Sequence, residues 1–416
     1  MLPCLLALAL LAAPVDPPDV GAPVEPPDGG AVIVPPGAQL APGPAGRVPI
    51  PLPKRAAHAR HVDWLVVPLV SYNSDTKLAL GAAGQVQWTG ATKPYSAQLG
   101  VQVLFTTGGQ QGHWIRYDAP SFLGTPLRVW ARAEYYRERY APWYGVGNHT
   151  SDDPLDHPGV GGHEAFDYDR IVPIGRLGAS YPIAGSAFRV FAFATFKNVI
   201  VHVYPHSLLA SEQPYGIAGG HELELSAGVY YDTRDNEAVP SRGWYLSLSG
   251  RAAGPLSTYT FGGATARMLH FAPLAPWLVL ANRVEADFLT AGAPFFELPN
   301  FGDIDAIDGV GGLVSERGVP QDRYVGRVKA IATAELRARF AHGTVRGGPL
   351  SFGGVVFLDL GRVWQPGLFD SRPGLEVHPG YGVGLRLWRR AFVLRADLAS
   401  SPDRLLNLYL VFGHFF

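Results

Sequence analysis

From Val62 onward the sequence alternates with a period of two, over runs too long for an ordinary soluble sheet. In Ala97-Gln98-Leu99-Gly100-Val101-Gln102-Val103 one parity is apolar and the other polar. Leu127, Val129, Ala131, Ala133 and Tyr135 alternate with Arg128, Trp130, Arg132 and Glu134. Val328, Ala330, Ala332, Ala334, Leu336 and Ala338 alternate with Lys329, Thr333, Glu335, Arg337 and Arg339. Successive side chains of a strand point to opposite faces, so each run is a strand with one apolar and one charged face. The runs span ten to fourteen residues, against about five or six in soluble sheets. Ten residues rising ~3.3 Å each, tilted by ~40°, climb about 25 Å, the height of the apolar band of a transmembrane barrel. The expected fold is therefore all-β, a transmembrane antiparallel barrel. The Arg- and Glu-rich parity suits a wet lumen.

Strands are predicted near 63–72, 78–89, 95–106, 111–119, 126–138, 169–183, 186–201, 221–231, 243–252, 258–271, 277–289, 327–340, 352–364, 380–388, 391–399 and 405–416, sixteen in all. An even number returns both ends to one side of the membrane. Even-to-odd connections are short, such as Ala184-Gly185, whereas the longest ones, 139–168, 202–220, 290–326 and 365–379, run odd-to-even. Short periplasmic turns and long external loops are the polarity of outer-membrane barrels. The expected location is the cell outer membrane, with its lipid as a partner.

Ahead of the barrel, assigned to 61–416, the sequence reads as two segments. Residues 1–13 contain the apolar run Leu5 to Ala13, too short for a spanning helix and suited to a signal peptide, although the first basic residue is Arg47. Residues 14–60 hold 13 of the 37 prolines, and Pro14-Val15-Asp16-Pro17-Pro18-Asp19 nearly repeats at Pro23-Val24-Glu25-Pro26-Pro27-Asp28. That composition predicts a disordered Pro-rich tether. The single cysteine, Cys4, falls in the signal segment, leaving no thiol for a disulfide or metal site.

Charge and motif spacing exclude several functions. The 34 basic and 35 acidic residues give no electrostatic case for a nucleic-acid partner. No HExxH pair and no GxSxG elbow occurs, and Asp303, Asp305 and Asp308 lack the loop grammar of a calcium-binding hand. No cofactor, metal or catalytic residue is expected, and the chain reads as a non-enzyme.

Several segments together resemble the BamA/TamA outer-membrane superfamily, the bacterial surface antigens. Tyr230-Tyr231-Asp232-Thr233-Arg234-Asp235-Asn236, followed by Pro240-Ser241-Arg242-Gly243, is similar to the family's periplasmic aspartate-arginine turn. Glu316-Arg317-Gly318-Val319-Pro320 resembles the arginine-glycine tip of its sixth external loop. Here Glu316 stands where an apolar residue is usual and Val319 where an aromatic is common. Phe357-Leu358-Asp359-Leu360-Gly361-Arg362-Val363-Trp364, Tyr381-Gly382-Val383-Gly384-Leu385-Arg386 and Tyr144-Gly145-Val146-Gly147-Asn148 complete the pattern, which covers 140–416. The alternating end of the chain, with Leu410, Phe412 and terminal Phe416, looks like the signal read by barrel-assembly machinery.

The resemblance implies a lumen lock in which Arg317, beside Gly318, meets Glu335 and Asp359, and a structural turn built on Asp232, Arg234, Asp235 and Gly243. It also implies insertion of outer-membrane proteins or polypeptide translocation, with unfolded outer-membrane protein clients. Relatives normally carry polypeptide-transport-associated domains before the barrel. The Pro-rich 14–60 is too short for one, so a separate periplasmic accessory protein is expected. A passive channel or structural surface barrel is the alternative, and an outer-membrane enzyme a third reading.

Overall fold

The structure is a computed structural model that describes residues 61–89, 95–237, 239–304, 307–345, 348–364, 376–389, 392–412 and 416. The signal-peptide reading of 1–13 and the tether reading of 14–60 lie outside the described residues.

Sixteen strands form one closed antiparallel barrel, each paired with its sequence neighbours and the last with the first. The first eight are β1 (His61–Asn73), β2 (Lys77–Thr89), β3 (Ala97–Thr106), β4 (Gln110–Ala119), β5 (Arg128–Pro142), β6 (Asp167–Pro182), β7 (Phe188–Val203) and β8 (Gly220–Asp232). They continue as β9 (Gly243–Ala253), β10 (Phe261–Ala275), β11 (Leu278–Leu289), β12 (Val328–Val345), β13 (Gly348–Trp364), β14 (His378–Arg389), β15 (Phe392–Ser400) and β16 (Asn407–Phe412).

The alternation in sequence becomes an inside and an outside. On β9, Trp244, Leu246 and Leu248 face outward, while Tyr245, Ser247, Ser249 and Arg251 are buried within. The outward Trp64, Trp88, Trp244 and Trp277 lie at strand ends beside the short connections, where indole rings suit the headgroup layer.

Several strand boundaries differ from expectation by a few residues, most at the β12–β13 hairpin. The β12–β13 hairpin, predicted to end at 340 and 352, runs to Val345 and Gly348, its pairing continuing beyond a bulge between Arg339 and Ala341. At the chain end β16 is described as far as Phe412. Phe416 does not share the outward face of Leu408. Its ring packs against Phe271 and beneath the Arg337 guanidinium, on the lumen side.

Inside, the lumen is packed at both ends and along the wall that the long loop covers, while a polar-lined cavity beside Arg132, Glu134, Arg170 and Lys197 remains. Trp130, Phe191, Phe193, Tyr230, Tyr245, Leu269 and Phe271 fill the end with short connections. Trp143, Tyr168, Leu209, Tyr259, Phe295 and Phe296 roof the opposite end. Between them the charged parity is buried in ion pairs such as Arg267 with Glu285 at 2.8 Å, and Asp287 with Arg251 at 2.7 Å and Lys329 at 2.8 Å. Period-two alternation identifies the polar face but carries no information on what a distant loop lays over it.

Candidate functional site: the tip of the lumen loop

The connection 290–327 between β11 and β12 folds into the barrel and carries its tip, Leu313 to Gly318, onto the wall formed by β11–β16. Two wall strands lack side chains where the tip passes closest. A Cβ at Gly361 of β13 would meet Glu316 Oε2 at 2.1 Å, and one at Gly380 of β14 would meet the Arg317 carbonyl oxygen at 1.9 Å. Gly318 itself has φ +98° and backs onto the Ser400 carbonyl of β15. Glycine is needed at 318 because both the backbone angle and the clearance exclude a side chain.

Arg317 is fully buried and reaches three strands. Its backbone N–H and Nε donate to Asp359 Oδ2 at 3.0 and 2.9 Å, and Nη2 donates to Asp359 Oδ1 at 3.1 Å. Nη1 donates to Glu335 Oε1 at 2.6 Å and lies 3.4 Å from Asp397 Oδ2. Desolvation opposes the charged guanidinium, but Asp359, Glu335 and Asp397 outweigh it and hold its pKa above the ordinary arginine value. A cation so deep is stable only when paired and hydrogen-bonded.

The four residues named from sequence for the loop lock, Arg317, Gly318, Glu335 and Asp359, thus converge. Several others at the same place were not foreseen. Asp397 and Arg395 sit on the lumen parity of β15, the latter donating to the Leu313 carbonyl at 3.0 Å. Arg283 of β11 donates to the carbonyls of Val314 at 2.7 Å and Ser315 at 2.5 Å. Around Gly318, the Tyr409 hydroxyl accepts its N–H at 3.2 Å, while Asn407 Nδ2 and the Ser401 hydroxyl donate to its carbonyl at 2.6 and 2.9 Å. Strand parity could have flagged Asp397, Arg283, Asn407 and Tyr409 as lumen-facing. Nothing local marks Ser401, or what Asn407 meets there.

Glu316 is also completely buried, with its carboxylate against the Gly361 backbone. Burial, then the nearby Asp359 and Asp403, push its pKa well above the usual carboxylate range.

The aspartate-arginine turn lies elsewhere, between β8 and β9. Asp232 accepts the Arg234 backbone N–H at 2.9 Å and its guanidinium at 2.6 Å. Asp235 accepts the N–H groups of Ser241 at 2.9 Å and Arg242 at 3.2 Å. Gly243 takes φ +105° tight against the Thr233 carbonyl. Of the residues assigned to the terminal signal, Leu410 and Phe412 pair with Ala396 and Leu394 of β15, and Phe416 lies in the lumen as described above.

A closed sixteen-strand barrel with an outward apolar belt, an aromatic rim and a loop packed into its lumen defines an outer-membrane β-barrel protein. Residues 218–416 match the Omp85 superfamily domain. Among solved structures the chain is similar to BamA from Haemophilus ducreyi lacking POTRA domains 1-3, with a TM-score of 0.55 and 15% identity, covering 85% of this chain and 70% of that one. It is likewise similar to CdiB from Escherichia coli, with a TM-score of 0.53 and 14% identity, covering 84% of this chain and 62% of that one. At such identities the likeness shows the shared barrel fold. No match is found among curated proteins.

Proposed function

We propose that this barrel inserts outer-membrane proteins or moves polypeptide across the outer membrane, and that β1 and β16 form its working seam. One observation carries the reading. Among the described residues, β1 pairs with β2 along all thirteen residues from His61 to Asn73, but with β16 at Tyr72↔Leu410 and Asn73↔Tyr409. Val411 and Phe412 remain paired with β15 while departing from β1. Unpaired backbone groups facing lipid cost several kcal/mol each, so an edge left open there is a site for adding a client strand. The outward Val62, Trp64 and Val66 on that edge suit an apolar client and the surrounding lipid.

The loop packed against the β11–β16 wall disfavours a wide passive channel, because Arg317, Glu335 and Asp359 are buried beneath it. Catalysis has no support either, because the buried charged groups at the tip are used in holding the loop. In this reading Arg317 is the lock that keeps the loop inside, the clients are unfolded outer-membrane proteins, and a periplasmic accessory protein delivers them. The test is insertion of an unfolded barrel client into liposomes with and without the purified protein. Faster, seam-dependent assembly supports the proposal. Client assembly at the rate of empty liposomes, together with a steady open conductance, sinks it in favour of a passive pore.

A further inference from the structure

The end of the seam that remains paired is also fastened by side chains. Asn73 folds the β1–β2 turn, its Oδ1 accepting the N–H groups of Asp75 at 2.9 Å and Thr76 at 2.7 Å, which presents Asp75 toward β16. On the other side, the Ser401 hydroxyl accepts the Arg404 N–H at 3.2 Å and Ser401 N–H donates to the Arg404 carbonyl at 3.0 Å, fixing the β15–β16 turn. Across the gap, Arg404 Nη1 meets Asp75 Oδ1 at 2.8 Å, and Leu408 N–H donates to the Ser74 hydroxyl at 2.9 Å. Asp75 is 11% exposed and Arg404 37%, so the pair is partly shielded from water.

Asn407 links this fastening to the lumen loop. It is completely buried, with its two amide atoms facing in different directions. Oδ1 accepts from Arg404 Nη1 at 3.0 Å, and Nδ2 donates to the Gly318 carbonyl at 2.6 Å. The next lumen-facing residue of β16, Tyr409, accepts the Gly318 N–H and also pairs with Asn73 of β1. The tip that carries Arg317 is therefore one residue from contacts that orient the latch.

We propose that Asp75 and Arg404 latch the outer end of the seam, and that Asn407 couples this latch to the lumen loop, so that release of the Gly318 tip loosens β1 from β16. The proposal rests on the seam reading given above and adds its regulation. Two sites coupled through a shared element must bias it in both directions, which makes the claim measurable without any client.

The experiment is hydrogen–deuterium exchange on the full purified chain in lipid nanodiscs, followed at the Tyr72, Asn73, Tyr409 and Leu410 amides. Asp75→Arg and Arg404→Asp should each speed exchange there by about fivefold, the equivalent of a modest ion pair, and the double swap should restore the slow rate. Asn407→Leu, which keeps size and removes both hydrogen bonds, should speed exchange at the seam and also in the loop tip. Arg317→Ala should do the same from the loop side. If a charge reversal prevents folding, judged by heat-modifiable mobility, Asp75→Asn supplies the milder arm. Unchanged seam exchange in Asp75→Asn and Arg404→Asp, or a swap no slower than the single variants, overturns the latch. Loop release in Arg317→Ala with unchanged seam exchange overturns the coupling. Failure of the client-insertion assay with these exchange changes intact would remove the proposed function and leave the latch standing.

Discussion

The Arg317 guanidinium carbon lies 3.5 Å from the centre of the Phe357 ring, while the edges of the same group bind Asp359 and Glu335. The planar cation is thus satisfied on its face by an aromatic quadrupole and on its rim by carboxylates. Phe357 and Asp359 are two residues apart on β13 and so share the lumen face. Lysine would supply charge at this position but neither the fork nor the flat face.

Replacing Arg317 should therefore release the loop without dissolving the barrel. Arg317→Ala leaves Asp359, Glu335 and Asp397 crowded around a vacated site, and breaking a buried pair in this way costs about 3–5 kcal/mol. Residues 290–327 should become cleavable by external protease and conductance should rise, with heat-modifiable mobility retained. Arg317→Lys should fall between. Asp359→Ala should match Arg317→Ala or exceed it slightly, because Asp359 also accepts the Arg317 backbone N–H. The double variant should be far less than additive. Full additivity would mean that the two residues act apart.

Gly318→Ala offers an independent route to the same state. The added methyl would stand 2.6 Å from the Ser400 carbonyl oxygen, at a φ of +98°. Such strain costs on the order of 1–3 kcal/mol, enough to raise loop proteolysis several-fold. Gly175→Ala, where no atom lies within 4 Å, is the matched control and should leave the loop closed. Equal proteolysis in both variants would refute the clearance argument.

The β8–β9 turn should behave as a structural element with its own pH signature. Burial alone would raise the Asp235 pKa, but hydrogen bonds from Ser241 and Arg242 outweigh it and hold the carboxyl below its usual range. A depressed acid contributes stability that is present above its unfolded value, ~3.9, and is lost as pH falls through the folded one. Asp235→Ala should cost about 1 kcal/mol at neutral pH and little in strong acid. Refolding yield and thermal stability across that range would check it. A variant indistinguishable from wild type at neutral pH would show that the turn does not depend on this carboxylate.

Much of the fold was legible because membrane strands are long and two-faced. The alternation around Glu335 fixes which residues face inward, and the long odd-to-even connections fix the sidedness. Arg317, Glu335 and Asp359 were legible through motif and parity together. Arg283 was not, because its partners are the backbone carbonyls of Val314 and Ser315, which no residue type announces. Asn407 escaped for a similar reason: its role comes from where β16 passes Gly318, a distance of 89 positions in sequence. The close packing around the tip was not legible because burial there is imposed by the loop, not by the strands.

Glu316 gives the tip a dependence on pH opposite in sign to that of the turn. Its pKa is raised well above the usual carboxylate range, first by burial and then by Asp359 and Asp403, with the Gly361 backbone N–H and Arg283 opposing. In the docked tip the neutral acid is favoured, whereas in a released, solvated tip it would ionise near ~4.3. Below that value both states are protonated and docking carries no penalty from this group. As pH rises above it, ionisation favours release, and the penalty grows until the docked acid itself titrates. The loop should accordingly be held most firmly in mild acid and loosen toward alkaline pH. Glu316→Gln keeps the shape over Gly361 without an ionisable proton, so it should tighten the tip at neutral pH and flatten this part of the profile. Loop proteolysis of wild type and Glu316→Gln across pH, with the protease rate normalised on an unfolded substrate, reads the difference. Parallel profiles for the two proteins would show that some other group sets the pH dependence.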